Sequence, residues 1–290
     1  MDKETIRNVQ KYIEDNINEK LTLSLISKKF GYSSYYLSRL FKRVLGINIF
    51  DYIRKIRLTE SARTLRDDSN VRILDVALDF YFDTHEGFTR AFSKEFHILP
   101  KTYQKQPIPV KYFIPYLIET NEGKNEVMEN KTIFVQVIER PKRKAIILRG
   151  KTATEYFAYS NEVGCDVWGI LSSIKEAINE PIGMWLSDKL RKENTSLYVQ
   201  GVEVSDDYNG IIPEGFELID LPKTKAIIFQ GEPYNDEQFR NEVSSAMKSI
   251  HKYDPRNYGF EYDLDGYRFQ YEPQGHRGYI EGRTVKEISL

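Results

Sequence analysis

Apolar residues along the first hundred positions return at helical spacing. Ile6, Val9, Ile13 and Ile17 form one stripe and predict a helix over 4–17. Leu23–Phe30 repeats that spacing over a shorter span, and Gly31 follows it as a residue free to take φ > 0. Ser33 is then a candidate N-cap for a helix with Leu37, Leu40, Phe41 and Val44 on one face. Its other face carries Ser34, Tyr35, Ser38, Arg39 and Lys42, which is polar, basic and aromatic with no acid. Two short helices about a glycine turn make a helix-turn-helix. A single such hairpin is equally well explained by a solvated basic face. The pattern returns, however, in Asp75–Lys94: Leu37 matches Phe88, Arg39 matches Arg90, Phe41 matches Phe92, Ile47 matches Ile98 and Tyr52 matches Tyr103, all 51 residues apart. Between the copies, Ile53, Ile56, Ala62 and Leu65 predict a connecting helix over 50–65.

Beyond Gln106 the pattern changes. Pro107, Pro109 and Pro115 bracket an extended stretch with Tyr112, Phe113 and Tyr116, and ETNEGKNEVMEN (119–130) is charged. Residues 107–130 read as a linker whose aromatic half rests on one of the domains it joins. A second repeat follows: PKRKAIILRG (141–150) returns as PKTKAIIFQG (222–231), identical at seven of ten positions. Each copy predicts a strand, a polar loop and an amphipathic helix, the first with Val167, Ile170, Leu171, Ile174 and Ile178, the second with Phe239, Val243, Met247 and Ile250. Alternating segments at 196–204, 258–263, 267–273 and 278–285 predict antiparallel strands, with a hairpin turn between Asp263 and Tyr267. The reading is multidomain. An all-α double helix-turn-helix domain (1–106) and a linker (107–130) precede an α+β duplicated, pseudo-twofold domain with an antiparallel sheet (131–290).

Composition sharpens the division. The net charge is −1, yet residues 1–106 hold 19 Lys+Arg against 14 Asp+Glu, and the remainder 23 against 29. A basic first part beside an acidic second part suits a nucleic-acid-binding domain joined to one that does not touch nucleic acid. No proline precedes Pro100, which leaves the first part free to be helical. One cysteine, Cys165, excludes an internal disulfide; with no apolar run of spanning length, a soluble cytoplasmic protein without membrane contact is expected. His85, His97, His251 and His276 are scattered, and no metal, cofactor, phosphate-loop or nucleophile signature is present.

The first part resembles the AraC/XylS family of bacterial transcription activators, through GYSSYYLSRLFK (31–42), YIRKIRL (52–58) and FTRAFSKEF (88–96) with Pro100 and Tyr103. The resemblance implies two DNA-reading units joined by a helix, with promoter DNA and RNA polymerase as partners. Residues expected at DNA are Ser34, Tyr35, Tyr36, Ser38, Arg39 and Lys42 in the first unit and Thr84, His85, Glu86, Thr89 and Arg90 in the second. Arg39 and Arg90 are expected in successive major grooves about 34 Å apart, with one chain binding an asymmetric site. Three departures bear on the second unit. Tyr81 and His97 stand where the family has glycine, and Glu86 puts a carboxylate near phosphate.

The second part resembles the GyrI-like effector-binding domain, through ERPKRKAIILRG (139–150), YVQGVEV (198–204), IPEGFELIDLPKTKAIIFQG (212–231) and RGYIEGRTV (277–285). That resemblance implies a cleft for an amphipathic, cationic or aromatic small molecule, held by a buried glutamate and aromatic side chains. Strand alternation puts Tyr279, Glu281 and Arg283 on one face, so Glu281 is the expected carboxylate, with Glu287 or Glu261 as alternatives. Trp185, Tyr262, Tyr279 and Trp168 are the expected aromatic neighbours, although Trp168 is as readily explained as core. The whole chain thus reads as a ligand-sensing transcription regulator, not an enzyme, in which ligand leaves DNA affinity unchanged. A hydrolase of reactive small molecules and a protein-binding inhibitor module are the rival readings, and neither needs a DNA-binding domain.

Overall fold

The computed structural model describes residues 2–115 and 131–288, so Tyr116 and the charged segment 119–130 lie outside the described residues. The chain divides into two compact units, Met1–Thr120 and Asn121–Leu290.

The first unit is helical: α1 (Asp2–Asp15), α2 (Leu23–Lys29), α3 (Ser34–Leu45), α4 (Ile49–Asp67), α5 (Ile73–Asp79), α6 (His85–Phe96) and α7 (Pro100–Lys105). Ser33 caps α3, its hydroxyl accepting from the Tyr36 N–H, and Thr84 caps α6 in the same way through Gly87. Gly46 and His97 end these helices in the left-handed conformation. Helices α2 and α5 are each closed by a residue of positive φ, Gly31 (+73°) and Tyr81 (+59°). In both, the next N–H reaches back five residues, Tyr32 to the Ser27 carbonyl (2.9 Å) and Phe82 to the Ala77 carbonyl (2.8 Å). Tyrosine therefore adopts the conformation that glycine supplies in the first copy, at a cost of about 1–2 kcal/mol. The Arg57 guanidinium lies over its ring at 4.9 Å and also donates to the Ile17 and Glu19 carbonyls. The α5–α6 connection is one residue longer than the α2–α3 connection, so α2 matches α5 at an offset of 50 and α3 matches α6 at 51.

Two cores form, and α4 serves both. Ile49, Tyr52, Ile53 and Ile56 join Ile6, Val9, Leu37 and Phe41; Leu58, Ala62 and Leu65 join Val76, Phe88, Phe92 and Tyr103. The described half of the expected linker lies on this unit as an extended segment. Ile108, Val110, Tyr112 and Ile114 enter the second core, while Phe113 turns to the first. The Phe113 N–H donates to Thr59 Oγ1 (2.9 Å), and the Tyr103 and Tyr112 hydroxyls pair at 3.0 Å.

The second unit contains β1 (Ile133–Arg140), β2 (Arg143–Arg149), α8 (Tyr156–Val163), α9 (Val167–Ser172), β3 (Ile182–Leu186), β4 (Tyr198–Ser205), β5 (Glu217–Leu221), β6 (Thr224–Gly231), α10 (Phe239–His251), β7 (Phe260–Tyr262), β8 (Tyr267–Tyr271) and β9 (Ile280–Glu287). All pairings are antiparallel, in the order β1-β6-β9-β8-β3-β4-β2-β5, with β7 also on β9. The repeated segments are β2 and β6. Gln200 stands opposite Leu148 and Glu281 opposite Phe229, the same register 81 residues apart.

One face of the sheet buries Ala145, Ile147, Ile182, Met184, Val199, Ala226 and Phe269. On the other, α9 packs over Ile146, Val202 and Val204, and α10 over Ile227, Phe229 and Tyr279.

Two expectations differ from the structure. Residues 258–273 do not form a hairpin. Strands β7 and β8 run in the same direction along one edge of β9, and the loop between them is closed by Gly266 N–H to the Asp263 carbonyl (3.1 Å). The alternation was real, but β9 is long enough to pair both segments in turn. The helix expected to run to Ile178 stops at Ser172: the Ser172 and Ser173 hydroxyls donate to the Trp168 and Ile170 carbonyls, and Ile178 is exposed.

Candidate functional site

Helix α3 turns Leu37, Leu40 and Phe41 inward. That leaves Tyr35, Tyr36, Arg39 and Lys42 exposed on its outer side, with Ser34 and Ser38 half-buried. Arg39 Nη1 donates to the Tyr35 hydroxyl (2.9 Å) one helical turn away, and its guanidinium lies 5.6 Å from that ring's centroid. Tyr36 stacks on Tyr32 at 5.3 Å, and Ser34 shares a hydrogen bond with Ser27 (2.9 Å), so these two also brace the turn. On α6, Phe88 and Phe92 point inward; His85, Glu86 and Arg90 are exposed, and Thr84 is exposed at the cap. Thr89 is half-buried, with its hydroxyl oxygen buried and without a hydrogen-bond partner. The copies differ at the ends of α2 and α5, where Lys28 and Lys29 stand against Leu78 and Asp79.

In the second unit, Glu281 is fully buried on β9, within a group drawn from neighbouring strands. One carboxylate oxygen accepts from Arg268 Nη2 (2.6 Å) and the Tyr279 hydroxyl (2.9 Å); the other accepts from Arg283 Nε (2.6 Å). Arg268 and Arg283 are direct cross-strand neighbours, a like-charge pair that the carboxylate between them stabilises. The Arg268 guanidinium covers the Trp185 indole at 4.1 Å, and Trp185 meets the Tyr198 ring edge-on at 4.9 Å. Tyr262 joins through Arg283, whose guanidinium is 5.3 Å from its ring centroid. Burial, with the charge of Glu281, raises the Tyr279 phenol above its usual range. Burial opposes the charge of Arg268, but Glu281 and Tyr279 outweigh it and hold that guanidinium above its ordinary value.

Of the expected ligand residues, Glu281, Tyr279, Trp185 and Tyr262 are thus brought together. Trp168 is placed elsewhere, hydrogen-bonded to Glu272. Burial and the nearby Glu180 charge push the Glu272 carboxyl up, against the opposing pull of Arg277 and Trp168. Because the charged form is the disfavoured one in the folded chain, Glu272→Gln should raise stability above the ordinary glutamate pKa, and the gain should vanish as pH falls below it. Urea midpoints for both chains at pH 7 and pH 4 measure this; an equal gain at both pH values would assign the effect to something other than charge.

Sequence reasoning did not find Arg268. It sits in an alternating strand where any outward charge reads as surface, and only pairing of β8 with β9 brings it to Glu281. A second buried group was also missed: Glu203 accepts from Arg140 and from Arg143 Nε (3.0 Å), Arg143 donates to the Tyr267 hydroxyl, and Arg140 lies 4.2 Å from the Phe269 ring centroid. A cavity of about 210 Å³ beside α10 is lined by Lys131, Gly231, Tyr234, Glu242, Ala246 and Tyr279, and Lys131 pairs with Glu242 at 3.1 Å. Among the described residues no cluster of His, Cys, Asp or Glu could hold a metal ion, and no helix is long and apolar enough to cross a membrane.

A family model for a helix-turn-helix domain matches residues 26–106. Over 103 residues the chain is 38% identical to the Transposon Tn10 TetD protein of Escherichia coli, covering 36% of this chain and 74% of that protein. Over 102 residues it is 41% identical to the right origin-binding protein of Escherichia coli K12, covering 35% of each, so it spans about a third of that relative's length. Among solved structures, a transcriptional regulator from Chromobacterium violaceum, described as containing an AraC-type DNA-binding domain, matches 36% of this chain and 95% of that one, at 26% identity and TM-score 0.33.

Proposed function

The chain belongs to the AraC family of helix-turn-helix transcription regulators, and from that premise we propose that α3 and α6 read one promoter site together while the second unit holds a small-molecule effector. The observation that carries the DNA reading is the repetition itself. Two capped helices, each with its apolar face buried in its own core, present Arg39 and Arg90 at matching positions. Arg39 is held by Tyr35, whereas Arg90 stands one turn after the acidic Glu86. Arg39→Ala should therefore cost about 1–3 kcal/mol on the cognate site and relax one base position, with Arg90→Ala at the lower end of that range. Footprinting with competition against single-base variants measures both. Uniform weakening across all sequences would make either arginine a phosphate contact instead.

The effector reading rests on the second unit. The matched registers of β2 with β4 and of β6 with β9 favour a duplicated, pseudo-twofold GyrI-like domain, in which β3 and β8 meet at the centre. The central strands carry the partly exposed Trp185 and Arg268 between the helix groups, a fitting floor for an amphipathic aromatic molecule. The hydrolase reading is less well supported. A glutamate that activates water must be reached by it, and Glu281 is fully buried beneath Arg268, Arg283 and Tyr279. RNA polymerase is the third partner in this reading, and operator affinity measured with and without a verified ligand tests how the effector is felt.

A further inference from the structure

The floor of the second unit is richer in cation than in carboxylate. Arg268 and Arg283 both turn to Glu281, so the group carries two positive charges against one negative. The side chain of Glu281 is 0% exposed, that of Arg268 22% and that of Arg283 16%, so the two arginines, and not the carboxylate, reach the surface here. Each arginine has five N–H donors. Arg268 Nε and Arg283 Nη2 are buried without a hydrogen bond, which marks the site as short of acceptors. The one indole at its centre, Trp185, is already covered by the Arg268 cation. The seat an aromatic cation would take, over an indole and beside a buried carboxylate, is thus filled by the chain's own guanidinium.

Other charges nearby do not reverse this balance. Arg277 and Glu180 pair at 2.5 Å and cancel. Glu272 is engaged at the Trp168 side, by that indole and by the charge of Arg277.

Taking the second unit as an effector domain, we infer that its central site selects aromatic ligands bearing a carboxylate and rejects the corresponding cations. The carboxylate meets the partly exposed Arg268 and Arg283, whose two charges Glu281 alone does not balance, in charge-assisted hydrogen bonds, and the ring packs beside Trp185. An ammonium on the same ring would meet two guanidinium groups and would have to displace Arg268 from Glu281.

Calorimetric titration of the full chain with 1-naphthoate and with 1-naphthylmethylammonium, one ring with opposite charge, tests the inference. Naphthoate is expected to bind roughly tenfold more tightly or better. Arg268→Gln should remove that preference by weakening naphthoate and admitting the ammonium. Tighter binding of the ammonium by the unaltered chain would overturn the inference while keeping the effector reading. Binding of neither probe, nor of the neutral 1-naphthylmethanol, would overturn both. The ratio for the unaltered chain decides the matter even if the variant folds poorly.

Discussion

Glu203→Gln is expected to destabilise the second unit by about 3–5 kcal/mol, because it leaves two buried guanidinium groups without a counter-charge. Arg140 and Arg143 are only 6% and 2% exposed, and Glu203 1%. Glutamine can accept from one of them but cannot neutralise either. Arg140 would keep its place over Phe269, and Arg143 its bonds to the Pro141 carbonyl and the Tyr267 hydroxyl, which softens the loss without restoring the charge. Urea unfolding of the full chain, followed by second-unit tryptophan fluorescence, gives the measurement, since both tryptophans lie at 168 and 185. A change below about 1 kcal/mol, the scale of an exposed pair, would show that water reaches the group. Replacing all three charged residues by apolar ones of similar volume should cost far less than the single change, because the expense lies in the uncompensated charge.

Phe92→Ala should cost about 3–5 kcal/mol and, on the proposed DNA reading, abolish binding through α6. The ring is fully buried and packs on Phe88, Phe96 and Tyr103 at centroid distances of 5.6, 4.8 and 5.7 Å. It belongs to the second core alone, while Leu37, Leu40 and Phe41 hold α3 in the first. Footprints should therefore shrink to the half proposed for α3, with affinity falling accordingly. Loss of protection over both halves would mean that α4 and the segment 108–114 couple the two cores into one cooperative block.

Much of this architecture was legible because the information is periodic and local. Helical spacing marked the inward faces of α1, α3 and α6, and the cap at Ser33 and the break at Gly31 lie within a few residues of the helices they bound. Repetition added what periodicity lacks: two matching arginines at one offset carry the proposed DNA reading, which a single basic helix would not. Strand alternation likewise set Tyr279, Glu281 and Arg283 on one face, and their mutual hydrogen bonds follow that alternation.

Tertiary pairing decided the rest. Alternation reports which residues share a face but not which strand lies alongside, so 258–263 and 267–273 read as a hairpin although each pairs with β9. The same ignorance of neighbours hid Arg268, which is far from Glu281 in chemistry until β8 and β9 are in register. It also hid Glu203, whose partners lie 60 and 63 residues away. At Tyr81 the residue type argues against positive φ, yet the turn adopts it, with the helix-end hydrogen bond made and Arg57 over the ring. Local pattern was enough for two like helices, each with an outward arginine, and for a strand face shared by Tyr279, Glu281 and Arg283. Whether that carboxylate meets a ligand's cation or the chain's own arginines depended on charges converging from separate strands, and only the folded sheet brings those together.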